Sequence, residues 1–300
     1  MMRGVAIACL IVVAAAGASA RQGKESAAEA EAKAAFERGK AAHVAGKTDE
    51  AVTALERAVE LDSTKSLYHL WLGYAYTRQL SSASFLRKAF IGRRIGQEYD
   101  TAVKLDPSSV DAAESRAEFF LEAPGIVGGG VDKARAEAAR LTTLDAYRGG
   151  MTSANIAEHE KQPAEAERVY RSLMAEYPDR TAALDALVTM FLNAKRFDEA
   201  FTIVDDRLAR HPDETASLFT LGRVSAVSAQ QLPRGEAALR RFLALAPADP
   251  GRQANAHYRL GMIKEQMGDA RAAATEYQAA VDLNPRHQPA AAALKQLQRR

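Results

Sequence analysis

Cysteine is nearly absent from the sequence, which contains only Cys9 among its 300 residues. Cys9 lies in an amino-terminal segment that we expect to be cleaved from the mature protein. The mature chain would then have no thiol, which excludes disulfides, cysteine nucleophiles and thiolate metal sites. Its stability must therefore come from an apolar core.

Long apolar runs are also lacking, except for one at the amino terminus that covers residues 5–16. It follows the basic start at residues 1–3 and precedes the small-residue sequence Ala18-Ser19-Ala20. This order predicts a signal peptide, residues 1–20, and export to the periplasm or the medium. One alternative is a membrane anchor, although the run is shorter than the roughly 20 residues that a spanning helix needs. The other alternative is a lipoprotein attached through Cys9.

The sequence lacks a large excess of either positive or negative charge, since it contains 40 Lys and Arg and 38 Asp and Glu. A protein whose main partner is nucleic acid or an anionic membrane usually carries a clear basic excess. The balance therefore favours neither nucleic acid nor a membrane surface as the partner.

Motifs of catalysis and metal binding are missing as well. There is no Gly-x-Ser-x-Gly elbow and no His-Glu-x-x-His pair. The six histidines are scattered along the chain at positions 43, 69, 159, 211, 257 and 287. The carboxylate pair Asp205-Asp206 falls in a charged helical segment, which is typical of a solvated face. We therefore predict no catalytic residue, no metal site and no cofactor.

A repeat of about 34 residues is the main positive feature of the sequence. Four prolines recur at intervals of 34, 35 and 38, at positions 178, 212, 247 and 285. A small residue lies twelve positions before each proline, namely Ala166, Ala200, Gly235 and Ala273. Small residues allow two helices to approach closely, and a proline ends the second helix because it cannot continue one.

Apolar residues between these markers follow helical steps of four and three. Three examples are Ala51, Leu55 and Ala58; Ala166, Tyr170 and Leu173; and Ala273, Tyr277 and Ala280. Such steps place side chains on one helix face, and no stretch alternates as a strand would. The mature chain is therefore predicted to consist of helices and turns.

Three segments resemble tetratricopeptide repeats: KAAHVAGKTDEAVTALERAVELDS, YHLWLGYAYTRQ and HYRLGMIKEQMGDARAAATEYQAAVDLNPRH. The resemblance implies an all-α, right-handed superhelical solenoid of helix-turn-helix units. We count about seven units, at 32–65, 66–109, 110–146, 147–180, 181–214, 215–253 and 254–287. A polar lead-in at 21–31 precedes them, with a helix start predicted at Ser26, and a capping helix at 288–300 follows.

The second unit departs from the pattern by ten extra residues. We predict a long second helix from Ser84 to Leu105. Its packing stripe is expected to be Ile91, Ile95, Tyr99 and Ala102. The extension is interpreted either as a docking feature or as a cover for the next repeat.

The third unit contains the glycine-rich loop APGIVGGGVDKA, with glycines at 125, 128, 129 and 130. A nucleotide-phosphate loop needs Lys and then Ser or Thr after its last glycine, whereas Val131 and Asp132 stand here. We therefore predict a turn, with Asp132 capping the following helix. Anion binding at the helix start is the alternative. The loop also resembles one in exported bacterial repeat proteins, among them ligand-binding partners of solute uptake systems.

The tetratricopeptide resemblance implies that the first helix of each unit lines a concave binding wall. Candidate partner-binding residues on these helices are Lys33, Lys40, Tyr74, Arg78, Asp111, Glu114, Glu118 and Glu122. The competing interpretation is that they are ordinary solvated charges. We expect a non-catalytic exported scaffold that binds a protein or peptide. The alternative is a periplasmic small-ligand-binding or transport accessory protein, with a pocket near Gly125, Gly128, Gly129 and Gly130.

Overall fold

The computed structural model describes residues 27–245 and 249–299, apart from the side chains of residues 85 and 86. Within these ranges the chain forms helices and turns and no strand, so the all-α prediction is confirmed. The predicted signal peptide and the predicted helix start at Ser26 lie outside the described residues. No helix in the described part of the chain is both long enough and apolar enough to cross a membrane.

The helices fall into two compact units. The described part of the first unit is 27–161 and contains α1 (27–44), α2 (Thr48–Leu61), α3 (Ser66–Ser82), α4 (Phe85–Leu105), α5 (Val110–Glu122), a 3₁₀ turn (Gly125–Val127), α6 (Val131–Leu144) and α7 (Ala146–His159). The second unit begins at Gln162 and contains α8 (Pro163–Glu176), α9 (Ala182–Asn193), α10 (Phe197–Arg210), α11 (Thr215–Ser228), α12 (Leu232–Leu245), α13 (Pro250–Gln266), α14 (Ala270–Leu283) and α15 (Gln288–Leu297).

Glycines on the first helix of a hairpin receive a large side chain from the second helix. At Gly73 of α3, an added Cβ would lie 2.3 Å from the ring of Tyr99 on α4. Three other hairpins repeat this contact, with added-Cβ distances of 2.2 to 2.5 Å, through the pairs Gly39 and Leu55, Gly222 and Leu239, and Gly261 and Tyr277. The close helix approach expected from the regular small residues is therefore present.

Helix α4 confirms the predicted long helix and its packing stripe. Ile91, Ile95, Tyr99 and Ala102 are all buried, with 5% or less of each residue exposed. The helix begins one residue after Ser84, which adopts the extended backbone of an N-cap. The buried stripe packs on α3, and residues 87–90 of α4 remain exposed.

Three of the helices end through the same local interaction. Asp62, Asp106 and Asn284 follow the last residues of α2, α4 and α14, and each side chain accepts a hydrogen bond from the amide two residues later, at 3.0 Å. These bonds turn the backbone away from the helix. The hydroxyl groups of Thr64 and Ser108 also donate to Asp62 and Asp106, and together with the amides they hold the pKa values of these two residues below the ordinary value of aspartate.

The prediction that Asp132 caps α6 is wrong. The helix begins at Val131, Gly130 is its N-cap, and no side chain accepts a capping bond there. Gly130 turns the chain with a φ of 154°, so the helix starts two residues earlier than a cap at Asp132 would imply. Asp132 instead lies exposed in the first turn, where its charge favours the helix dipole, and it pairs with Arg135 at 2.6 Å.

Candidate binding groove

The glycine-rich loop is held by its own backbone. The amides of Gly128, Gly129 and Gly130 donate to the carbonyl oxygens of Gly125, Pro124 and Phe120. These three N–H groups point into the protein, and a phosphate cradle would need them free to point at a ligand. The loop is therefore a turn between α5 and α6, as the sequence predicts.

Gly129 cannot be replaced without moving the loop. A Cβ at this position would stand 1.7 Å from the carbonyl oxygen of Ala123. The backbone of the loop thus packs directly on the end of α5. This close approach fixes the 3₁₀ turn beside α4, where Val127 contacts Gly92.

A groove of about 760 Å³ lies between this loop and helices α3, α4 and α5. Its lining is mainly apolar and includes Leu80, Ala89, Gly92, Ile95, Phe119, Ala123, Pro124, Ile126 and Val127. Ile126 stands at the lip with 79% of the residue exposed to solvent. Large apolar side chains that remain exposed beside a hollow are typical of binding sites.

Two hydroxyl groups lie at the inner end of the groove. The Thr77 hydroxyl donates to the carbonyl oxygen of Gly73 at 2.9 Å and lies 3.1 Å from the hydroxyl of Tyr99. Since the Thr77 proton is used, the Tyr99 hydroxyl donates to Thr77. Burial raises the pKa of Tyr99 well above that of free tyrosine, so the phenol stays neutral. The wall therefore offers neutral hydroxyl oxygens as acceptors.

Carboxylates form one rim of the groove. Glu118 and Glu122 line it, and neither forms an ion pair with a described residue. Partial loss of hydration raises the pKa of Glu118, and the neighbouring charges of Glu114 and Glu122 raise it further. The same two acids border a second hollow of about 490 Å³ that also contains Glu158 and His159. The described lining of the groove thus carries two carboxylates and one cation, Lys88.

The other two predicted acids of α5 are already paired. Arg148 on α7 bonds Asp111 at 2.6 Å, and its Nε donates to Glu114 at 3.0 Å. The hydrogen bond with Glu114 holds the pKa of Arg148 above its ordinary value. Sequence reasoning missed Arg148, although the residue lies 34 positions after Glu114, which is one repeat length. Asp111 and Glu114 therefore tie α5 to α7.

The basic and aromatic candidates lie on helices α1 and α3. Lys40 of α1 stands 5.4 Å from the ring centroid of Trp71, and Arg78 of α3 donates to the carbonyl oxygen of His43 at 2.6 Å. Tyr74 accepts a hydrogen bond from Ser115 on α5 at 3.2 Å. Lys33 is exposed.

Aromatic contacts connect these residues to the groove. Neighbouring rings have centroid separations of 5.7 to 6.5 Å, along the series Phe36, Trp71, Tyr74, Tyr99 and Phe119. Tyr74 thus lies on the line of rings that ends in the groove. In the described ranges, no group of three or more His, Cys, Asp or Glu side chains could hold a metal ion.

Comparison with known proteins identifies a matching family model and solved structures with a similar fold. The family model described as "Tetratricopeptide repeat" matches residues 32–65 and 254–287. The fold is similar to that of a crystallised tetratricopeptide repeat protein from Parabacteroides merdae, with a TM-score of 0.54 and 14% identity over 89% of this chain and 99% of that one. It is also similar to yeast Tom70, with a TM-score of 0.72 and 16% identity over 92% of this chain and 54% of that one. No curated protein matches the sequence.

Proposed function

Since this chain is a tetratricopeptide-repeat protein, we propose that it is a non-catalytic scaffold that binds a polypeptide segment at the groove between α3, α4, α5 and the glycine-rich loop. Repeat proteins of this kind present extended surfaces to partners. The observation that carries the proposal is the exposed apolar groove beside Glu118 and Glu122, two carboxylates that form no ion pair with any described residue. The predicted concave wall of first helices would continue this surface through Tyr74, Arg78 and Lys40.

The chemistry of the groove defines the partner segment. A large apolar side chain would enter between Ile95, Phe119 and Ile126, where it removes apolar surface from water. A lysine or arginine next to it would meet Glu118 and Glu122 in charge-assisted hydrogen bonds. Such opposite charges at a rim mainly accelerate association and select the correct partner.

The test replaces Ile126 by aspartate. Burying an isoleucine side chain is worth roughly 1.5–3 kcal/mol, so Ile126→Asp should weaken binding by about tenfold or more. Val44→Asp is the matched control, because Val44 is a similarly exposed aliphatic residue of the same unit, at 75% exposure. The assay is calorimetric titration of the strongest binder from an immobilised library of short peptides. If Ile126→Asp and wild type bind the peptide with equal affinity, the groove is not the peptide-binding site.

Export is part of the proposal. The motivating observation is the order of a basic start, an apolar run and Ala18-Ser19-Ala20 in the sequence. The intact mass of the protein recovered from the exported fraction should correspond to a chain that begins at Arg21. A chain that keeps residues 1–20 and stays in the cytoplasm would contradict this part alone.

A small-ligand carrier is the second candidate function. The groove volume of about 760 Å³ and its apolar lining suit a compact apolar molecule, since ligand sites commonly span ≈ 300–1,000 Å³. Native mass spectrometry of protein purified from the exported fraction separates the two candidates. A retained small molecule that is lost in Ile126→Asp would support the carrier, and its absence beside peptide binding supports the scaffold.

A further inference from the structure

Three arginines with little compensating charge share one face of the second unit. Helices α9, α11 and α13 surround a pocket of about 390 Å³. Arg223 of α11 and Arg252 of α13 line it, with Phe219 and Leu184 as its apolar lining. Arg259 lies seven residues after Arg252 and therefore on the same side of α13.

Arg259 is a partly buried cation without an acid. No carboxylate of the described residues forms an ion pair with it; its guanidinium lies over the Tyr258 ring, 5.3 Å from the centroid, and donates to Met262 Sδ at 3.4 Å. Burial lowers the pKa of Arg259, and the charge of Arg223 lowers it further. Holding a charge in this position costs stability unless a counter-charge arrives.

Arg223 is only partly satisfied. Its guanidinium bonds Asp185 at 2.7 Å and the Thr189 hydroxyl at 2.8 Å. Its Nε is buried and has no hydrogen-bond partner among the described residues. Among the described residues that line the pocket, Asp185 is the one acid beside the two arginines Arg223 and Arg252, and Arg259, which lies close enough to sense the charge of Arg223, adds a further positive charge.

Most other arginines of this unit have a carboxylate partner, which sets the pocket apart. Seven of them form ion pairs, namely Arg168, Arg171, Arg196, Arg207, Arg234, Arg240 and Arg241. Unlike these seven arginines, Arg252 and Arg259 form no ion pair with a described residue, and Arg252 lines a hollow that can admit a ligand.

We propose that this pocket binds an acidic polypeptide segment, whose side-chain carboxylates are held by Arg223, Arg252 and Arg259. Guanidinium groups bind carboxylates through paired N–H donors, and Arg252 and Arg259 keep donors that no acid of the described residues uses. Arginines spread over two turns of α13 and over α11 suit more than one carboxylate. Phe219 and Leu184 would contact an apolar residue between the acids. The site is independent of the groove in the first unit and has the opposite charge preference.

The probe is a fluorescent peptide of alternating Glu and Leu, acetylated and amidated so that only side chains carry charge. Full-length protein should bind it in an anisotropy titration, and affinity should fall as salt rises. The same peptide with Gln in place of Glu should not bind. A Gln peptide with a free carboxyl terminus, or a DNA oligonucleotide, should bind at least about tenfold more weakly than the Glu peptide. Equal or tighter binding of either one would overturn the assignment to acidic side chains.

Two variants separate a binding role from a structural one. Arg252→Gln and Arg259→Gln should each weaken peptide binding by about tenfold. Arg271→Gln, at an exposed arginine of α14 outside the pocket, should leave it unchanged. In the absence of peptide, Arg259→Gln should melt at the same temperature as wild type or higher, because an uncompensated charge has been removed. Unchanged peptide binding in both pocket variants, or a lower melting temperature of Arg259→Gln, would contradict the proposal.

Discussion

Replacing Glu114 by lysine tests whether the Arg148 contact holds α5 against α7. Glu114 and Arg148 keep only 28% and 30% of their side chains exposed, so solvent screens this pair less than a surface pair. Losing the pair costs about 1 kcal/mol, and facing Arg148 with a like charge adds a similar amount. We expect Glu114→Lys to lower the free energy of unfolding by about 1–2 kcal/mol.

The matched control lies one turn further along the same helix. Glu118 has no ion pair with a described residue, so Glu118→Lys should change stability by no more than about 0.5 kcal/mol. The same change removes a carboxylate from the groove rim and should reduce peptide binding there. Urea unfolding of both variants, followed by circular dichroism, gives the comparison. If the two variants are equally stable, the contact between Glu114 and Arg148 does not stabilise the packing of α5 on α7.

Three further predictions concern the first unit. His69 is buried, which lowers its pKa, but hydrogen bonds to Glu98 at 2.6 Å and to the Ser63 carbonyl at 3.0 Å raise the pKa overall above 6.5. The His69 contacts should stabilise the fold fully below about pH 6.5, and this contribution should be lost as pH rises through the folded-state pKa. The urea midpoint of unfolding should therefore fall in that pH window for wild type and not for His69→Gln. Gly129→Ala should lower stability by about 2 kcal/mol in thermal unfolding, whereas Gly125→Ala, where an added Cβ meets nothing within 4 Å, should be nearly neutral. Calorimetry should detect no ATP or NAD binding, because the loop amides are already used, and micromolar binding would refute this.

The helices could be predicted because their signals are local. Small residues, the Asp or Asn turns after Leu61, Leu105 and Leu283, and apolar steps of three and four each act within one hairpin. The prediction for Asp132 was wrong although its residue type and position suit a helix cap. The backbone conformation of Gly130, which the sequence pattern does not reveal, starts the helix earlier.

The groove could be predicted only in part. The glycine loop and Glu118 were recognisable as unusual, yet Leu80, Ile95 and Val127 come from three separate elements and meet only in the folded chain. The pairing of Arg148 required comparison of residues one repeat apart. Asp185 and Arg223 form a similar ion pair at a spacing of 38 positions, so a search at 34 positions would have found the Glu114 contact and not this one.

Photo-crosslinking from the groove lip tests the central claim most directly. A benzophenone amino acid would replace Ile126 in one variant and Val44, as the exposed control, in another. We expect the probe at Ile126 to crosslink to a polypeptide segment with a large apolar residue beside a lysine or arginine, and the probe at Val44 not to do so. Crosslinking of the same segment with equal yield from both positions, or no polypeptide adduct from Ile126, would contradict the claim that this groove is the binding site.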